Sequence, residues 1–335
     1  MADESPDRGA AAPDPAGAAP EGGSAFHAHM MSARSEFESQ VAHARAEFEE
    51  ANERLKKRTG RDLILAIVIG VAIGAIVLSS LVFIKWLFVP LALAAVLLGS
   101  FELSRALSGA GRRIDVIPQL AAGVLLIPTA AFAHLWLQWV ALFVSLAVVV
   151  VWRLVAQMVA ADGRTYGAVA TDVLAGTFAV VYVPFLASMC MLLLREDAGE
   201  WWVIGFIAVA VVADTAAYAS GLSFGRHKMA PRISPNKTWE GFAGAVVGAV
   251  AAGVLLAIFL LHIPWWAGAI FGIVILLTAT LGDLGESMVK RDLGVKDMSS
   301  WLPGHGGVLD RLDSILPSAT AALALYYLFQ PLGTS

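Results

Sequence analysis

The chain has 335 residues, 58% of them hydrophobic and only 15% charged, with a mean hydropathy of +0.72 and a net charge of −4. A soluble domain carries about 25% charged residues, so this composition excludes a soluble globular fold. Repeated apolar runs of about 20 residues point instead to an all-α, polytopic membrane protein, with the lipid bilayer as its medium and no nucleic acid expected as a partner. Cys190 is the only cysteine and lies in an apolar run, which leaves neither a disulfide framework nor a thiolate metal site.

In chain order, residues 1–34 are rich in Ala, Pro, Gly and acids and bury too little apolar surface to fold, so this tail is expected to be disordered. The first 60 residues are polar, which argues against a cleavable signal peptide. Residues 35–60 read as a cytoplasmic helix in which Phe37, Val41, Ala44, Phe48, Ala51 and Leu55 recur at heptad spacing. That seam either lies against the protein or lipid surface or pairs two protomers in a short coiled coil, which makes a homodimer one expectation. Residues 61–335 form the transmembrane domain. Nine apolar runs are expected to cross the bilayer, at 63–80, 83–103, 117–133, 135–152, 168–194, 201–220, 242–262, 265–281 and 307–329. The fifth is long enough to be tilted or kinked at Pro184. Trp136, Trp139, Trp201, Trp202, Trp265 and Trp266 fall at run ends, where an aromatic belt would put them.

Orientation follows from Lys and Arg in the loops. The segment before the first run carries Arg54, Lys56, Lys57, Arg58 and Arg61. The second, fourth, sixth and eighth loops carry Arg105, Arg112 and Arg113; Arg153 and Arg164; Arg226, Lys228, Arg232 and Lys237; and Lys290, Arg291 and Lys296. The intervening loops offer only Lys85 and Arg195. This alternation predicts a cytoplasmic N-terminus and an active face toward the cytoplasm of the cell membrane.

The stretch 282–314 between the last two runs is dense in acids, bases and glycines. Asp283, Glu286 and Lys290 are spaced to share one helix face, and Asp310 and Asp313 share another at the start of the last run, which Pro317 should kink. Carboxylates delivered by neighbouring helix ends, joined by the glycine-rich Pro303–Gly304–His305–Gly306–Gly307 segment, bring hard oxygen ligands to one point. That suits Mg²⁺ completed by substrate phosphates and water. Lys290, Arg291, Lys296, His305 and Arg311 would meet the remaining phosphate charge, and the glycines let backbone N–H groups approach an anion. The competing reading is a solvated loop whose charges pair with one another; Asp283 and Asp310 adjoin apolar spans, where unpaired carboxylates are costly. A second cluster begins at Asp214, inside an apolar run and in need of a metal or cation. It continues through the basic segment Arg226, His227, Lys228, Arg232 and Lys237, which reads either as positive-inside signalling with anionic-lipid contact or as a triphosphate clamp. Ser234 and Thr238 add hydroxyls, and Lys237 or Thr238 is placed at the N-terminus of the next helix, a natural anion site.

These residues carry a resemblance. SMVKRDLGVKDMSSWLPGHGGVLDRLD is similar to the signature of the phosphatidate cytidylyltransferases, also called CDP-diacylglycerol synthases, whose fixed positions are filled here by Ser287, Lys290, Arg291, Lys296, Asp297, Pro303, His305, Gly306, Gly307, Asp310, Arg311 and Asp313. Asp214, Tyr218, His227, Lys228, Ser234, Pro235, Lys237, Thr238 and Glu240 match further elements of that family. Gly285, Ser299 and Asn236 depart from it, the last removing one phosphate-facing charge. The resemblance implies Mg²⁺-dependent conversion of CTP and phosphatidate to CDP-diacylglycerol and pyrophosphate at the cytoplasmic face, with Asp283 and Asp310 as metal carboxylates and a second cation allowed. It implies catalytic parts for Lys290, Arg291, His305 and Arg311, and substrate contacts for Asp214, His227, Lys228, Ser234, Lys237, Thr238, Ser287, Lys296, Asp297, Gly306, Gly307 and Asp313. The chemistry agrees. A phosphate monoester has a second pKa of about 6 and is largely dianionic at neutral pH, so the task is to neutralise and align two anions rather than to supply a strong base. Two other classes fit parts of the pattern. One is a membrane transferase of phospho-sugar or phosphoryl groups to a polyprenyl carrier. The other is a transporter, which would place its charges near the midplane of two matching halves.

Overall fold

The computed structural model describes residues 63–160, 163–299 and 306–333. The tail (1–34), the heptad segment (35–60) and His305 with Pro303 and Gly304 lie outside the described residues.

In lipid, each backbone N–H and C=O must find its partner within its own segment, which makes helices of the apolar runs. They are α1 (Leu63–Phe83), α2 (Phe88–Gly109), α3 (Val116–Phe132), α4 (Leu135–Ala160), α5 (Tyr166–Val180), α6 (Leu186–Arg195), α7 (Gly199–Phe224), α8 (Trp239–Leu256), α9 (Trp265–Asp292), α10 (Leu309–Leu312) and α11 (Ile315–Phe329). Seven of the described helical segments are long and apolar enough to cross a membrane, and two shorter apolar helices, Val68–Phe83 and Val116–Phe132, fall on the first and third expected runs. The chain is a polytopic helical membrane protein. Its centre is apolar and aromatic: Trp202 meets Phe271 and Tyr326 edge-on at centroid distances of 5.6 and 5.4 Å. Large apolar side chains such as Val71, Leu174 and Phe259 face outward, as lipid contact requires.

A π turn (Val181–Phe185) containing Pro184 joins α5 to α6, where the kink was expected, because proline withholds the N–H that would continue the ladder. Near Pro317 the irregularity comes earlier than expected, between α10 and α11 at Asp313 and Ser314. The all-α expectation meets one small exception: β1 (Lys228–Ala230) and β2 (Ser234–Thr238) form an antiparallel hairpin pairing Lys228 with Thr238 and Ala230 with Ser234.

Polar contacts sort into two ends of the bundle. At one end, Lys85 pairs with Glu200 at 3.2 Å, Arg195 Nη1 donates to the Ala133 carbonyl, and Tyr327 Oη donates to Glu196 at 2.8 Å. At the other end lie the loops that carry most of the Lys and Arg. There Asp172 of α5, with a fully buried side chain, accepts from Arg153 Nη2 at 2.9 Å, from the Arg113 backbone N–H at 3.0 Å and from Arg164. Arg164 in turn donates to the Gly111 carbonyl at 2.7 Å. The three arginines counted above only for orientation thus share one buried carboxylate that ties the α2–α3 and α4–α5 connections together. Removing one partner of a buried ion pair costs about 3–5 kcal/mol. Asp172→Ala should therefore lower the thermal midpoint in detergent by on the order of 10 °C. An unchanged midpoint would show that these arginines need no common partner.

Candidate active site

The site is assembled at the arginine-rich end from α7, the β1–β2 hairpin, α9 and the α10–α11 junction. α9 carries Asp283, Glu286, Ser287, Lys290 and Arg291. The helical spacing places Asp283, Glu286 and Lys290 along one face, and Lys290 Nζ lies 3.3 Å from Glu286 Oε2. Lys290 also reaches across to α10, where Asp310 Oδ1 accepts from it at 2.9 Å. Asp310 is held further by the backbone N–H groups of Gly307 (2.7 Å) and Met298 (3.2 Å).

From the opposite side, Lys237 of β2 forms an ion pair with Asp283, and Ser287 Oγ donates to Asp283 Oδ1 at 3.4 Å. The carboxyl groups of Glu286 and Asp313 adjoin one another, and Asp214 of α7 feels Asp283, Asp313, Lys237 and Arg311. Five carboxyl groups thus face Lys237, Lys290 and Arg311, and two of them, Glu286 and Asp313, share a hydrogen bond. Glu286 is buried, and its carboxyl group meets Lys290 Nζ on one side and the Asp313 carboxyl group on the other.

A close backbone contact sets this geometry. A Cβ built on Gly282 would lie 2.1 Å from the Asp313 carbonyl oxygen and 2.9 Å from Pro317 Cγ. Only a residue without a side chain lets α9 run against the α10–α11 junction, and that contact carries Asp283 next to Asp313.

The Cytidylyltransferase family model matches residues 64–329. A phosphatidate cytidylyltransferase of Mycobacterium bovis is 42% identical over 278 residues, covering 79% of this chain and 88% of that protein. One of Mycobacterium leprae is 39% identical over 281 residues, with the same coverage of each chain. One of Brucella suis is 42% identical over 145 residues, covering 43% of this chain and 52% of that protein. The chain belongs to the cytidylyltransferase family.

In this cytidylyltransferase the expected residues divide into those gathered at the junction and those around it. Asp214, Lys237, Asp283, Ser287, Lys290, Asp310, Arg311 and Asp313 are gathered. Arg291 lies exposed at the end of α9 and its Nε donates to the Ile233 carbonyl at 3.3 Å, fastening the hairpin to the helix. Lys228 and Lys296 are exposed and Ser234 is half-buried. His227 pairs with Glu240, Nδ1 to Oε1 at 2.6 Å, and Glu240 also accepts the Arg226 and His227 backbone N–H groups. Thr238 caps α8, its hydroxyl oxygen accepting from the Gly241 N–H at 3.1 Å, which is the helix-start position expected for it. Gly306 lies beside Asp310 and Asp297. In this structure the anions met by the loop's N–H groups are the protein's own carboxylates: Gly307 donates to Asp310, and Val308 and Leu309 donate to Glu102.

Two residues at the site were not anticipated. Glu102 of α2 is buried and accepts hydrogen bonds from Ser299, Val308 and Leu309. Tyr182, in the π turn, has a buried hydroxyl without a hydrogen-bond partner and lies within electrostatic reach of Glu286, Asp313 and Asp283. Each is a polar residue inside an apolar run, the same signal that had singled out Asp214.

Proposed function

We propose that the protein is a phosphatidate cytidylyltransferase. A phosphate oxygen of phosphatidate attacks the α-phosphorus of CTP, the bond to the β-phosphate oxygen breaks, and CDP-diacylglycerol and pyrophosphate leave. The observation that carries this reading is the convergence of Asp283 and Asp310 with Lys237, Lys290 and Arg311 at one helix junction, within a family whose named relatives are phosphatidate cytidylyltransferases. The cations would neutralise two anionic substrates and hold them in line, and stabilise pyrophosphate as it departs. No nucleophilic side chain is required, because the attacking phosphate is itself ionised at neutral pH.

Mg²⁺ fits the donors at this junction. Among the described residues no group of three or more His, Cys, Asp or Glu side chains is placed to hold a metal by itself, but Mg²⁺ uses one or two carboxylates with substrate phosphates and water. Asp283 and Asp310 would hold it, with the buried carboxyl group of Glu286 as a further hard donor nearby. When bound, it supplies Lewis-acid neutralisation of phosphoryl charge. The site would face the cytoplasm of the cell membrane, with nine crossings and a cytoplasmic N-terminus. The heptad at 37–55 would allow two copies to pair.

Substrate identity tests the reading. Purified protein in detergent should convert labelled CTP to a lipid-soluble product only when phosphatidate is added. Turnover of a UDP-sugar with polyprenyl phosphate, and none of CTP, would replace this function with that of a polyprenyl transferase.

A further inference from the structure

We propose that Glu102 is a positioning residue for cytidylyl transfer, setting from α2 the placement of the segment that carries Asp310. The proposal rests on the function given above. Glu102 is 1% exposed. Its Oε1 accepts from Ser299 Oγ at 2.5 Å and from the Val308 backbone N–H at 3.0 Å, and its Oε2 accepts from the Leu309 N–H at 2.8 Å. A buried carboxylate is costly unless hydrogen-bonded, and here all three donors, on Ser299, Val308 and Leu309, lie about 200 residues further along the chain.

Glu102 and Asp310 divide the neighbouring backbone donors between them. Asp310 takes the N–H groups of Met298 and Gly307, while Glu102 takes those of Val308 and Leu309. Gly307 lies between the two carboxylates: a Cβ there would stand 2.7 Å from Glu102 Oε2 and 3.1 Å from Asp310 Oδ2. The backbone leading into Asp310 is therefore fixed on both sides, one clamp belonging to the site itself and the other to α2. Hydrogen bonds from N–H groups to an ionised acceptor are about twice as strong as neutral ones. Glutamine has the same shape as glutamate but turns one acceptor oxygen into a donor, which must then face a backbone N–H. A displacement of about 1 Å at a reacting centre can cost about 100-fold in rate, so the effect of this clamp should appear in kcat.

The test compares the full chain with Glu102→Gln, Glu102→Asp and Gly307→Ala in detergent, by hydrogen exchange and by steady-state kinetics on CTP and phosphatidate. In Glu102→Gln the Val308 and Leu309 amides should exchange at least about tenfold faster while those of α7 and α8 are unmoved. Per folded molecule, kcat should fall about 100-fold with KM for CTP within about threefold. Glu102→Asp, which keeps the charge, should recover part of kcat. Gly307→Ala drives a methyl between the two carboxylates without deleting a bonding group, and it should reproduce the loss of kcat even if Glu102→Gln fails to fold. Unmoved exchange and kcat in Glu102→Gln would overturn the proposal. So would a loss of folded protein with unchanged kcat in the folded remainder of the Gln and Ala variants. If the unsubstituted chain turns over no CTP, the proposed function falls and takes the positioning role with it; normal turnover with unmoved variants removes the positioning role alone.

Discussion

Asp310→Asn should reduce CTP-dependent product formation by at least about 100-fold, the scale seen when one preorganised charge-stabilising group is removed from an active site. Asp310 stands at the crossing of three constraints: the ammonium of Lys290, the N–H of Gly307 and the N–H of Met298. Asparagine keeps the volume but loses the charge that Lys290 pairs with and presents an NH₂ group to the backbone donors. Lys290 would then be left to Glu286 alone, and a donor for Mg²⁺ would be weakened at the same time. Size-exclusion and thermal unfolding profiles would show whether the variant remains folded. Retention of more than about a third of the original activity would remove Asp310 from the chemistry.

Gly282→Ala should be nearly as damaging, although glycine has no functional group. The added methyl would sit 2.1 Å from a backbone carbonyl oxygen of Asp313, and 3.1 Å from its carbonyl carbon. Neither atom can rotate aside as a side chain could, so α9 must move away from the α10–α11 junction. Overpacking of this kind costs about 1–3 kcal/mol, and the same movement separates Asp283 from Asp313. Gly285→Ala is the internal control. It lies three residues along the same helix with nothing within 4 Å of its added Cβ, and replacing a mid-helix glycine by alanine stabilises by about 0.5–1 kcal/mol. Activity should collapse in the first variant and persist, with a slightly raised thermal midpoint, in the second. Equal behaviour of the two would show that the close approach at Gly282 does not matter.

Much of this architecture was legible in the sequence because lipid imposes simple rules. Apolar runs of the right length can only become helices, and the alternation of Lys and Arg between loops anticipated which loops share an end of the bundle. The acids at the ends of α9 and α10 were legible from helical spacing and the long signature around them. What stayed hidden was pairing between distant segments. Glu102 sits singly between Phe101 and Leu103, and Asp172 singly in α5. Each violates the apolar pattern and so announced a need for a partner, but a single sequence does not say that the partner is a loop 200 residues away or a trio of arginines. The β1–β2 hairpin was hidden for another reason. Its strands, Lys-Met-Ala and Ser-Pro-Asn-Lys-Thr, lack alternation and contain a proline, and the pairing is completed by Glu240 binding the turn leading into β1 rather than by β propensity. The heptad at 37–55 and His305 fall outside the described residues.

The most direct measurement follows the α-phosphate of CTP. With α-labelled CTP, phosphatidate and Mg²⁺, the label should appear in lipid with one pyrophosphate released per lipid formed. Without phosphatidate there should be no label on the protein and no exchange of pyrophosphate into CTP, and Asp283→Asn should abolish the transfer while remaining folded. Label retained on the protein, or full transfer by the Asp283→Asn variant, would contradict direct displacement at this helix junction.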